Sequence, residues 1–216
     1  MKLVIQLVLW IVILFLGYLI FNSIYEPIQF NEIKEDRYAK VIEKLEDIRD
    51  AELAYRDVTG HFAGTFEELI EFIDTAQFTL TQRRDTTVLD EEYARIYGVD
   101  KYIEKVLIDT LGYSSVQDSL FGNENFKNLM EVPIEGADAE FQLEAGTIMV
   151  NETEIPVFEA KIAKAKVLYD LDPDLVRIEE EVIAVDQVEG AYIKVGSMEE
   201  VNTNGNWPRL YAETAD

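Results

Sequence analysis

The sequence predicts an α+β protein: an N-terminal transmembrane helix that continues, after a proline kink, into a long amphipathic helix packed on an antiparallel β-sheet. Three observations carry this. Residues 3–21 are apolar with Gln6 as the one strongly polar side chain. Apolar residues then recur at helical spacing from Tyr38 to Tyr55. Beyond about residue 105, β-branched and period-two patterns replace the helical ones.

The apolar run spans roughly 28 Å as a helix, close to the ~30 Å hydrocarbon core of a bilayer. A cleaved secretory signal has an apolar core of about 7–15 residues followed by a small-x-small site. Asn22-Ser23-Ile24-Tyr25-Glu26-Pro27 offers none, so residues 1–25 are expected to be a permanent anchor. Lys2 and the α-amino group precede the span and Glu26 follows it. The positive-inside bias then places the N-terminus in the cytoplasm and the remainder outside it.

Composition narrows the function. Forty-three Asp and Glu against 19 Lys and Arg give a net charge of −24. Such a surface repels phosphate backbones, so no nucleic-acid partner is expected. Cysteine is absent, which removes disulfides and thiolate metal sites. The one histidine, His61, follows Gly60 and is expected on a surface turn. Zinc chemistry or a Ser-His-Asp site needs more than this. No phosphate loop or nucleophile elbow occurs, and no catalytic, cofactor or metal residue is assigned.

Pro27 removes one helical hydrogen bond and is expected to kink or interrupt the helix. Residues 26–58 then form an amphipathic stalk: Tyr38, Val41, Ile42, Leu45, Ile48, Glu52 and Tyr55 share one face, ending before Gly60. The extracytoplasmic α+β domain is expected over 59–216. Its first helix is signalled by the capping box Thr65-Phe66-Glu67-Glu68 and ends near Asp74. Gln77–Gln82 alternates as a strand, closed by Arg83-Arg84-Asp85 as a solvated loop, and a short helix is expected from Asp90 to Tyr97. Further strands are expected at Lys105–Thr110, Ser115–Ser119, Ala139–Glu144, Thr147–Val150, Pro156–Val167, Val182–Ala184 and Ala191–Val195. The strand from Pro156, with Lys161, Lys164 and Lys166 among alanines, could be helical in part. Turns are expected at Leu111-Gly112, Ala145-Gly146 and Asn151-Glu152, among others.

The first third resembles the type IV pilins and the pseudopilins of type II secretion. Its membrane helix, Pro27, the amphipathic helix with Ala51-Glu52-Leu53-Ala54-Tyr55, the turn Thr59-Gly60-His61-Phe62 and the capped segment Thr65–Ile73 follow that family's order. Tyr55 lies 28 positions after Pro27. The resemblance implies an antiparallel sheet of four or more strands against the C-terminal half of the long helix. It also implies a closing strand and loop at Tyr192-Ile193-Lys194-Val195-Gly196-Ser197 and Glu199–Asn206, where Glu199, Glu200, Asn202 and Asn204 could offer oxygens to calcium; an ordinary Asn-Gly turn is the other explanation. Two departures mark a diverged, non-processed member. Leu3–Trp10 replaces the peptidase signal, and Trp10 stands where the family carries a membrane-buried glutamate.

The function expected is a non-enzymatic, membrane-anchored, pseudopilin-like structural component of an envelope secretion or filament assembly. It would be single-pass in a bacterial inner membrane, with a periplasmic domain, and partnered by other envelope proteins and by itself. The alternative is a membrane-tethered binding module for a cation, peptide or glycan, with Trp207 and Tyr211 as stacking residues in place of their more ordinary role as core seals that pin the tail. An acid-base enzyme would draw on Asp170, Asp172, Asp174 and Glu179–Glu181, a run otherwise read as a solvated face.

Overall fold

Helix α1 runs from Lys2 to Thr59, 58 residues and so about 87 Å long. The computed structural model describes residues 2–100, 102–122, 125–184 and 187–208. The chain passes through Pro27 without leaving the helix, so of the expected kink or interruption the interruption does not occur. One missing N–H deletes one bond from a ladder that the turns on either side maintain. From Leu3 to Phe21 every described side chain is exposed. Burial begins at Phe30 and continues in steps of three and four through Lys34, Tyr38, Val41, Leu45, Ile48 and Glu52. This is the predicted apolar face, extended about two turns towards the N-terminal apolar run; Tyr55 is half-buried. The helix stops at Gly60, whose φ of 85° is open to glycine at no steric cost and whose N–H bonds to the Arg56 carbonyl at 2.8 Å.

The chain divides into two compact units, residues 1–69 with 127–216 and residues 70–126. In the first, α1 packs on a three-stranded antiparallel sheet, β3 (Gln142–Val150), β4 (Thr153–Ala163) and β5 (Tyr192–Gly196), in the order β3-β4-β5. Three strands are fewer than the resemblance implies. The turn at Asn151-Glu152 is as expected, with φ of 48° and 66° at its two residues. That is the backbone of a type I′ hairpin, and it sets the Val150–Thr153 register. The expected turn at Ala145-Gly146 is instead mid-strand, opposite Phe158 and Val157. Pro156 sits where β4 has only β3 beside it, so its missing N–H costs no ladder bond to β5. Val157, Phe158, Ala160 and Ile162 form the buried centre of β4, and Phe62 of the turn after α1 stacks on Phe158 at 4.6 Å.

The partly helical reading of Pro156–Val167 holds: β4 ends at Ala163 and a single turn, α5 (Lys164–Val167), follows. Helix α6 (Pro173–Glu180) was not expected. Its signal is Asp172-Pro173, a carboxylate N-cap accepting from Asp174 and Leu175 N–H with proline in the first turn. Val182–Ala184, expected as a strand, has no regular structure. Gly196, at φ 78°, closes β5, and a Cβ there would lie 2.2 Å from the Phe158 carbonyl oxygen.

The division between units falls inside α2 (Phe66–Thr75). The capping box is present in part: Thr65 Oγ1 accepts from Glu68 N–H at 3.3 Å, while Glu68 reaches the amide of Gly64, one residue further back. The second unit continues through a long hairpin, β1 (Gln77–Leu89) and β2 (Tyr102–Ser115), with α3 (Glu91–Tyr97) between its strands. Arg83-Arg84-Asp85 is therefore mid-strand rather than a closing loop, opposite Ile108, Leu107 and Val106. Leu111-Gly112 is likewise in the strand: Leu111 is the extra residue of a bulge, with Leu80 opposite Gly112 and Thr81 opposite Thr110. Ser115–Ser119, expected as a strand, is mostly helix α4 (Val116–Leu120), because the Ser115 hydroxyl caps it by accepting from Asp118 N–H at 3.0 Å.

Candidate functional site

The densest polar chemistry of the first unit lies on the buried stripe of α1. Glu179, on α6, is buried and accepts from Lys34 Nζ at 3.0 Å and from the Tyr38 hydroxyl at 3.3 Å, both on α1. Lys164, which opens α5 and is fully enclosed, donates to the Glu179 carbonyl at 2.7 Å, to its carboxylate at 3.3 Å and to the Val188 carbonyl at 2.7 Å. All three ammonium hydrogens thus have acceptors. Burial pushes the Lys164 pKa below the ordinary lysine value, and the Glu179 carboxylate opposes that shift. One carboxylate between two ammonium groups and a phenol ties α1, α5 and α6 together.

A second clamp lies one face over. Arg37 grips Asp170 with both terminal nitrogens, one bond at 2.9 Å, donates to the Val167 carbonyl at 2.9 Å and lies over the Tyr169 ring at 5.6 Å. The Arg37 hydrogen bond holds the Asp170 carboxyl below its usual range. The charged face of the sheet is organised the same way. Lys161 and Lys194 are directly opposite each other, and Glu159 accepts from both, at 2.8 and 2.9 Å. Burial alone would raise the Glu159 pKa, but those two lysines bring it below the ordinary carboxylate value.

Glu52, the polar exception on the predicted helical face, is completely buried. One carboxyl oxygen accepts from Ala63 N–H at 2.9 Å, and the other has no hydrogen-bond partner among the described residues. Burial raises its pKa to about 8 despite that hydrogen bond, with Glu68 adding to the shift. Glu52 is therefore a neutral acid at pH 7, fastening the Gly60–Ala63 turn back onto α1.

These arrangements engage four of the six carboxylates that an acid-base reading would use. Asp170 is paired, Asp172 caps α6, Asp174 faces Arg177 at 3.6 Å and Glu179 is held by lysines. His61 is exposed, its ring 5.6 Å from Tyr55. The loop 197–206 lines an open depression of about 270 Å³. Some of its oxygens are engaged locally: Asn202 Oδ1 accepts from Asn204 N–H and the Asn204 carbonyl from Gly196 N–H, while the Asn206 side chain bonds Lys194, Glu189 and Tyr192. Among the described residues no group of three or more Asp, Glu, His or Cys is placed to hold a metal ion. Trp207 is half-buried with its ring against Gly205, where a Cβ would meet it at 2.3 Å; Tyr211 lies outside the described residues.

Lys34, Arg37 and Lys164 escaped the sequence reading. Lys34 was detectable, since it sits four residues before Tyr38 in the same stripe. Lys164 has no such signal, because its partners lie 15 residues away on α6 and 24 residues away in an irregular connection. Comparison of the chain with protein-family models, with characterised proteins and with solved structures finds no match.

Proposed function

We propose that the chain is a non-enzymatic, membrane-anchored structural component of an envelope secretion or filament assembly, built on pseudopilin-like lines. One observation supports it above the others: a single helix is both the apolar span and the spine of the first unit's core. Residues 3–21 of α1 are long and apolar enough to cross a membrane, with mean hydropathy 2.8 over their best window and no part of that window buried. Lys34, Arg37 and Tyr38 clamp the same helix to α5 and α6 within two turns of Phe30. Force or position applied at the membrane is transmitted to the domain with no flexible linker between them. By the charge bias across the span, the N-terminus is cytoplasmic and the acidic domain periplasmic, in a bacterial inner membrane. The partners are other envelope proteins.

The test is purification of the full chain from membranes in mild detergent after brief crosslinking, with protease added to intact spheroplasts beforehand. Protection of the N-terminus, digestion of the domain and recovery of stoichiometric envelope proteins are expected. A domain protected from external protease, or a chain recovered free of any envelope protein, would refute the proposal.

A further inference from the structure

The β1–β2 hairpin is the part of the chain whose construction is least complete. Among the described residues its sheet has two strands. A two-stranded ribbon is at best marginal in water, and an unpaired edge of 13 residues is a template for another strand. Ile103, Val106, Leu107, Ile108 and Leu80 are 42–66% exposed, so neither face is covered. In a chain of net charge −24 the hairpin strands carry three cations, Arg83, Arg84 and Lys105, against three anions, Asp85, Glu104 and Asp109. Copies of an acidic chain repel each other least where each is neutral.

The order of residues along β1 selects the occupant. Symmetric antiparallel pairing places residues of the same parity opposite one another, because opposed side chains share a face. Centred on Arg84, such pairing sets Arg83 opposite Asp85 of the second copy, twice. Leu80 then meets Val88, Gln82 meets Thr86 and Thr81 meets Thr87, also twice each. Arg83 and Asp85 are 3.7 Å apart in one strand and over 70% exposed, so both are available to exchange partners. Arg84 at the centre is already balanced by Asp109 of its own hairpin at 3.3 Å. Moving the centre to Arg83 or Asp85 sets that charge against itself and leaves Leu80 facing Thr86 or Asp90. Strand β2 could set Lys105 opposite Asp109 about Leu107, but Asp109 is already held by Arg84 at 3.3 Å, and the bulge at Leu111 interrupts the ladder where Ile103 would have to pair.

We propose that two copies of this chain associate through β1, pairing antiparallel about Arg84 to form a four-stranded sheet in the order β2-β1-β1-β2. The interface is isologous and closes at a dimer. It holds whether or not the chain serves an assembly machine, so its failure and that of the functional proposal are separable.

The test uses the full chain in detergent micelles, with sedimentation to measure self-association. Arg83→Asp and Asp85→Arg each place like charges opposite one another and are expected to weaken the dimer by about tenfold. The double variant restores opposite charges and is expected to return to wild-type affinity. Because the chain has no cysteine, Arg84→Cys reports the two-fold directly: its sulfurs fall within disulfide reach, whereas those of Gln82→Cys are separated by about 13 Å. Oxidation should link the first and spare the second. A monomeric wild type, a dimer indifferent to both single variants, a double variant that stays weakened, or equal crosslinking of the two cysteine variants would each overturn the proposal. Circular dichroism of the single variants confirms that exposed charge reversals leave the fold in place.

Discussion

The two halves of α1 have the same backbone and opposite surroundings. From Leu3 to Phe21 the helix is apolar all round and exposed all round. From Phe30 to Ala54 it is amphipathic and buries one stripe, in which Lys34 and Glu52 stand among apolar residues. The first half is long and apolar enough to suit a lipid solvent, where a helix bonds its own backbone and any side chain that is not polar will serve. The second half satisfies a protein interior, where shape and hydrogen-bond partners are specified residue by residue. Substitutions of the same kind should therefore have unequal effects in the two halves.

The largest contrast is electrostatic. Glu179→Ala leaves Lys34 and Lys164 buried without their carboxylate and is expected to destabilise the first unit by about 3–5 kcal/mol. Chemical denaturation monitored by a probe in β4 would measure this; a loss under 1 kcal/mol would show that the clamp is incidental. Next comes packing. Leu45→Ala should cost about 2–5 kcal/mol in the same assay, and Leu14→Ala should leave it unchanged. Equal losses would erase the distinction between the halves, because they would mean that residues 3–21 pack against protein.

Glu52 supplies a pH signature. Its folded pKa of about 8 lies above the ordinary value of 4.5, so between those values the folded state holds a proton that the unfolded state has released. The contribution of Glu52 to stability therefore falls as pH rises from about 4.5 to about 8 and is level outside that window. Glu52→Gln removes this contribution, and the difference between wild type and variant, followed by thermal melts from pH 4 to 9, should show that slope. A pH-independent difference would mean that Glu52 is ionised in the fold. The smallest effect belongs to the exposed pair Lys40 and Asp36, 2.7 Å apart. Lys40→Ala should change stability by no more than about 0.5 kcal/mol, and a larger loss would point to a contact beyond that i, i+4 pair.

The helical elements were the most legible in the sequence. The apolar run, the stripe from Tyr38 to Glu52, the stop at Gly60 and the cap at Thr65 each rest on interactions within a few residues, so local sequence contains them. Strand boundaries were less legible. Arg83-Arg84 and Ala145-Gly146 look like loop residues, yet cross-strand partners far along the chain keep them in ladders. Ser115 illustrates the reverse, a hydroxyl whose capping bond outweighed an alternating pattern.

Sequence alone determined that this protein has an apolar helix of membrane length leading into an amphipathic one, a strongly acidic surface, no cysteine chemistry and a β-rich second half. These follow from composition and periodicity, which act at short range. Only the tertiary structure decided that Lys34, Lys164 and Glu179 meet, that Glu52 is shut away as a neutral acid, and that among the described residues β1 has one edge without a strand beside it. Such facts depend on which distant segments come together, and a buried charge is tolerable only once its partner has arrived.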